Sequence, residues 1–131
     1  MSAGTDLMTR VAEQLNAGDF EAWLELYSED VVFLASDSWP ENATVTGRDA
    51  VREFWREFSG VWEDVRIRID RIHDAGDAAV AECAWETRGR ASGVEGTLEF
   101  VLGIWVEDGL IVRGQFFDEL EQGLEAVGLG H

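Results

Sequence analysis

The hydrophobic pattern of this chain changes period once, near residue 62, and that change restricts the folds open to it. Before it, apolar residues recur at helical spacing. Leu7, Val11 and Leu15 mark one helix ended by Gly18, and Asp19 is placed to cap a second helix with Phe20, Trp23, Leu24 and Tyr27 on one face. The run VVFLA, 31 to 35, reads as a strand. The loop SDSWPENA with the only proline follows, and then a third amphipathic helix that starts near Gly47 and carries Val51, Phe54, Trp55 and Phe58. After residue 62 the period is two. VRIRIDRI puts Val65, Ile67 and Ile69 opposite Arg66, Arg68 and Asp70, and after a turn at DAGD the residues Ala79, Ala81, Cys83 and Trp85 alternate with Val80, Glu82, Ala84 and Glu86. Residues 97 to 106 form a long apolar strand, Asp108-Gly109 is a two-residue hairpin signal, and residues 110 to 117 return antiparallel. A short last helix holds Leu120, Leu124 and Val127, closed by Gly128. Helices first and a meander afterwards specify an α+β domain: a cone-shaped barrel of curved antiparallel, mixed-order sheet, with N-terminal helices on its concave face and a short C-terminal helix.

A chain of 131 residues, 46% of them hydrophobic, supports one well-packed core, so residues 1–131 are expected to form a single domain. No apolar run approaches the roughly 20 residues that cross a bilayer, and MSAGTDLMTR lacks the charged-then-apolar order of a secretory leader. A cytoplasmic location is the expectation. Against 27 acidic residues stand 10 basic ones, all arginine, for a formal net charge of -17. That field repels phosphate backbones and anionic lipid, which argues against nucleic acid and membranes as partners. Lysine-free acidity of this degree is also the composition of proteins from salt-loving organisms, and it equally suits a GC-rich genome.

The lone Cys83 falls in an alternating strand and reads as a small buried hydrophobe. His73 and His131 have no partner at metal-ligand spacing, and there is no glycine-rich phosphate loop or nucleophile signature, so neither a metal nor another cofactor is expected. Glu82 and Glu86 share a strand face with Arg66 and Arg68 across the hairpin, which predicts surface ion pairs. Six Trp, seven Phe and one Tyr are many for this length, and large rings suit a pocket for a hydrophobic ring-bearing ligand as well as they suit a core. By strand parity Trp85 shares the small face of Ala79, Ala81 and Cys83, where space remains beneath the helices. Phe116 shares the parity of Asp118, and Trp39 lies in the proline loop that would close a mouth.

The element order, the LNAGD followed by an acidic helix and an ED-strand, the TGRDAVREFW helix start and the DG-to-FFD ending resemble the SnoaL-like branch of the nuclear transport factor 2-like superfamily over nearly the whole chain. The resemblance implies a hydrophobic small-molecule ligand, a homodimer and, in some branches, cofactor-free acid/base chemistry such as cyclisation, isomerisation or hydrolysis. It also implies where proton carriers would stand. The three ketosteroid isomerase roles fall at about Val11, Ala35 and Leu102, none of which transfers a proton. Of the two aspartates of limonene-epoxide-hydrolase-like members, Asp118 matches the one in the final motif. The other falls in WETRGR, where Glu86 with Arg88 is a loose substitute. The cyclases likewise use an acid near the end of the pocket, which makes Asp118 the catalytic candidate. Asp118 has a second reading, as the N-cap of the last helix in a capping-box arrangement with Glu121. The candidate ligand-contacting residues are Tyr27, Phe33, Trp39, Trp55, Trp85, Trp105 and Phe116. Whether the chain is an enzyme or a non-catalytic binding or dimerising module is left open by the sequence.

Overall fold

A computed structural model describes residues 2–34, 44–60, 62–89 and 93–129, and these described residues form four helices and six strands. Helices α1 (Ala3–Ala17) and α2 (Phe20–Leu24) lead into β1 (Tyr27–Leu34) and β2 (Thr44–Thr46). Helix α3 (Arg48–Gly60) precedes the long antiparallel run β3 (Trp62–Asp74), β4 (Ala78–Gly89), β5 (Glu95–Glu107) and β6 (Leu110–Phe117), and α4 (Leu120–Ala126) ends the fold. The strands make one curved mixed sheet in the order β2-β1-β6-β5-β4-β3, with β1 and β6 the parallel pair. No helix among the described residues is long and apolar enough to cross a membrane.

Local chemistry explains most boundaries. Gly18 takes the left-handed conformation (φ 76°) that ends α1, and the Asp19 carboxylate accepts the Ala22 amide at 3.1 Å to start α2. Asp108 and Gly109 both have positive φ (52° and 79°), the two-residue turn that matches the twist of the flanking strands β5 and β6. Tyr27 is not the end of α2, as helical spacing suggests. It opens β1, because its backbone pairs with Ile111 of β6 and the chain has already turned out of the helix at Leu24. The short strand β2, between the proline loop and the helix that starts near Gly47, is held by Val45 opposite Phe33 of β1.

The inner face of the sheet carries Ile67, Ala79, Ala81, Cys83, Leu102, Ile104, Val106 and Ile111, all buried against Leu7, Met8, Val11 and Leu15 of α1 and Val51 and Trp55 of α3. Burial raises the Cys83 thiol to about 12, which leaves it a small apolar filler. The edge strand β3 is covered in an unusual way. The Asn16 side-chain amide donates to the Ile67 carbonyl at 2.9 Å and accepts the Ile67 N–H at 3.0 Å, so a side chain from α1 completes the ladder that an edge leaves open.

The outer face is partly covered. Val80, Val101 and Phe117 pack beneath Leu120, Leu124 and Val127 of α4. Gly123 permits this approach, since a β-carbon there would lie 3.0 Å from Val80 Cγ1 and 3.1 Å from Val101 Cγ1. Val106 of β5 faces inward. The register pairs Val80 with Gly103, which turns the even-numbered residues of β5 toward the core. The rest of the outer face is charged. Arg68 pairs with Asp70 at 2.8 Å and with Glu86 at 3.6 Å, Arg88 pairs with Asp64, and Glu82 meets His73 at 3.0 Å rather than an arginine.

Candidate functional site

The hollow between the inner face and the helices encloses about 60 Å³ and opens to one side. Strand alternation sets its boundary: on the inner face of β4, Ala79, Ala81 and Cys83 are buried in the core, and the large Trp85 further along the same face lines the hollow. Trp23 of α2, Trp55 of α3 and Val45 of β2 line it from the other elements.

The rings around this hollow form a closed circuit. Trp23 meets Tyr27 edge-on at 5.1 Å between centroids, Tyr27 meets Phe33 at 6.0 Å, and Phe33 meets Phe116 at 5.4 Å. Phe116 contacts Phe100 at 5.7 Å, which stacks on Trp85 at 5.1 Å. Trp85 meets Trp55 at 5.4 Å, and Trp55 returns to Trp23 at 5.7 Å. Each contact lies within the 4.5–7 Å range in which aromatic pairs attract beyond simple area burial. Every ring but Phe100 lines the cavity directly.

The polar content of the lining is small. Among the described residues its side-chain heteroatoms are the Tyr27 hydroxyl and the indole nitrogens of Trp23, Trp55 and Trp85, with no carboxylate, imidazole or guanidinium. Tyr27 is fully buried, which raises its phenol well above the ordinary range, because a phenolate there has lost its water. The neighbouring Trp23 N–H offsets this slightly. That N–H is buried without a hydrogen bond of normal geometry, so it favours the phenolate by proximity only. The carbonyl of Tyr27 accepts Arg48 Nε at 2.8 Å, which ties the start of α3 to β1 and holds the Trp55 helix over the hollow.

Of the candidate residues, the structure brings together Tyr27, Phe33, Trp55, Trp85 and Phe116 at the cavity. Trp105 is on the other side of the sheet. It packs with the α4 cluster, and the Arg113 guanidinium lies 4.5 Å over its ring, because odd-numbered β5 residues point outward. Trp39 and Ala35 lie outside the described residues. Asp118 is exposed and is not among the lining residues. Its shared parity with Phe116 does not carry over, since β6 ends at Phe117 and the chain bends at residues 118 and 119. The cap of α4 is correspondingly one residue later than read from sequence: Glu119 is the N-cap, and its N–H donates to Gln122 Oε1 at 3.1 Å. Glu86 and Arg88 stand on the charged outer face, away from the cavity. Val11 and Leu102, which mark two of the ketosteroid isomerase roles, do line the hollow, as plain hydrocarbon.

Sequence reasoning missed Trp23 and Phe100, the two rings that complete the circuit. Trp23 shares a face of the second helical segment with Tyr27, and Phe100 shares the inward parity of Leu102, so each carried a signal that only the tertiary arrangement makes decisive.

No curated protein matches the chain by sequence. Its fold is similar to several solved structures. A protein of unknown function from Burkholderia pseudomallei matches with TM-score 0.78 and 20% identity, covering 98% of this chain and 99% of that one. A Mycobacterium tuberculosis protein in complex with estradiol-17beta-hemisuccinate matches with TM-score 0.77 and 19% identity over 92% and 97%. A ketosteroid isomerase-like protein from Catenulispora acidiphila in complex with trimethylamine matches with TM-score 0.75 and 18% identity over 96% and 95%. Identities this low establish the shared cone fold. The family model of the SnoaL-like domain matches residues 8–114, most of the chain, and with the same fold on the page the protein belongs to the SnoaL-like family.

Proposed function

We propose that this protein is a non-catalytic small-molecule-binding member of its family, which holds an apolar group inside the ring-lined hollow. One observation supports this above the rest: the described lining consists of aromatic and aliphatic side chains, with no group able to relay a proton near neutral pH. A catalyst of carbon-acid chemistry needs a base within hydrogen-bond reach of the reacting atom, and the acid to which the family resemblance points, Asp118, is exposed beyond the end of β6. Ring faces and branched aliphatic groups instead provide dispersion contacts and exclusion of water, which are the requirements of binding. Proteins of the same fold hold estradiol-17beta-hemisuccinate and trimethylamine, so the cone accepts ligands of very different size. The test is a thermal-shift screen of neutral and charged small organic molecules. Binding compounds raise Tm in a concentration-dependent way and change the emission of the cavity tryptophans. A screen in which no compound does both would contradict the reading.

We place the homodimer implied by the family on the outer face of β3, β4 and β5 that α4 leaves open. The support is charge pattern: Arg66 and Arg68 of β3 form a basic strip beside Glu86 of β4 and Glu99 of β5, and a basic strip beside an acidic one is self-complementary about a two-fold axis. Sedimentation equilibrium of an Arg68→Glu variant, which removes that complementarity, is expected to show a monomer where the wild type is a dimer.

A further inference from the structure

The reading above leaves the class of ligand open, and four observations narrow it. Six rings of the circuit, Trp23, Tyr27, Phe33, Trp55, Trp85 and Phe116, line the hollow beside aliphatic side chains, and the faces of such π-systems attract positive charge. The enclosed volume of about 60 Å³ is less than half of the roughly 150 Å³ of an engineered cavity that accepts benzene, so only the methyl groups at one side of a compact head enter fully and the rest of the ligand stands in the opening. The molecule carries a formal net charge of -17, and no charged side chain among the described residues lines the hollow, so the long-range field draws cations in and no local cation opposes them. Finally, the side chains of the described lining offer few hydrogen-bond acceptors: indole nitrogens only donate, and among the described residues the Tyr27 phenol oxygen is the side-chain acceptor. A primary ammonium would leave its N–H groups unpaired there, at considerable cost, whereas a quaternary ammonium has none to pair.

Resting on the small-molecule reading, we infer that the ring circuit receives the quaternary ammonium group of a small molecule, with methyl groups of the trimethylammonium head inside and the rest of the ligand in the opening. Rings supply the attraction that water supplied outside, and because the charge of such a head is spread over its methyl groups, little hydration is lost on entry. The same head group occurs on free amino alcohols and on phosphate-bearing lipid headgroups. The shared chemistry is the trimethylammonium, and the field of the acidic surface favours the source without phosphate.

The experiment compares three probes by calorimetric titration at low salt: choline, phosphocholine, and 3,3-dimethylbutan-1-ol, the uncharged isostere in which carbon replaces nitrogen. Choline is expected to bind on the order of 10-fold tighter than the isostere. Trp55→Leu is expected to reduce that ratio several-fold while the isostere still binds, and Trp85→Leu, on a different element, serves the same purpose if Trp55→Leu does not fold. Choline preferred over phosphocholine identifies a free amino alcohol as the source, and the reverse order identifies a phosphate-bearing headgroup, each with the charged head in the rings. An isostere that binds as tightly as choline overturns the inference and leaves the small-molecule reading standing. Failure of all three probes, in a protein that also gives no response in the neutral screen, overturns both.

Discussion

Phe33 of β1 lies over Gly114 of β6, its register partner in the parallel pair, so closely that a β-carbon at 114 would stand 2.7 Å from Cε2 and 2.8 Å from Cε1 of the ring. The missing side chain is what lets Phe33 reach both Tyr27 and Phe116. Gly114→Ala is therefore expected to push Phe33 into the hollow, with a loss of about 1–3 kcal/mol of stability from overpacking and weaker ligand binding. In the Phe33→Leu background the same substitution should cost clearly less, because the clashing ring is gone. Chemical denaturation of the four proteins measures this, and equal costs in both backgrounds would show that the contact does not govern the site.

Tyr27 is the only tyrosine in the chain, so absorbance near 295 nm reports its ionisation alone. Burial raises its pKa in the folded protein above the unfolded value of about 10. The sign follows from linkage: the unfolded chain releases the phenolic proton first, so the contribution of Tyr27 to stability is complete below about pH 10 and declines as pH rises above it. Phenolate absorbance is expected to appear together with alkaline unfolding measured by circular dichroism. A phenolate signal near pH 10 in a protein that is still folded would mean that the ring is reached by water.

Twenty-seven acidic residues and ten arginines leave a net charge of -17, and the ion pairs that offset it are mostly exposed, such as Arg56 with Glu53 and Arg10 with Asp6. Exposed pairs contribute little, whereas the excess of like charge opposes the compact state. Raising salt from about 0.01 M, where the Debye length is about 30 Å, to about 1 M, where it is about 3 Å, is expected to raise Tm. A Tm that is flat or falls across that range would assign the arginine pairs a larger role than the net charge.

Short-range signals carried much of the fold into view from the sequence. Gly18, Asp19 and the Asp108-Gly109 turn behave as their local chemistry dictates, and the alternation around Ala81 and Cys83 was enough to orient β4. What depended on distant partners was not legible. Tyr27 fits a helix face by spacing and became a strand residue through Ile111, and the three residues of β2 are too few to show a period of their own. Asn16 is an ordinary helix-end residue until Ile67, 51 positions away, supplies the backbone groups it pairs with. The site divides in the same way. Parity alone directs Trp85 and Phe116 inward, but the release of the chain after Phe117, which turns Asp118 out and moves the helix cap to Glu119, is decided by how far β6 stays paired with β5.

The cavity itself is tested most directly by filling it. Val45 lines the hollow from β2, the shortest strand, where a larger side chain disturbs least, so Val45→Phe occupies the space while the sheet stays intact. For a compound that raises the wild-type Tm, the account predicts that Val45→Phe abolishes the shift and that Asp118→Asn retains it in full. A shift that survives in Val45→Phe and disappears in Asp118→Asn would contradict the account and move the site to the end of β6.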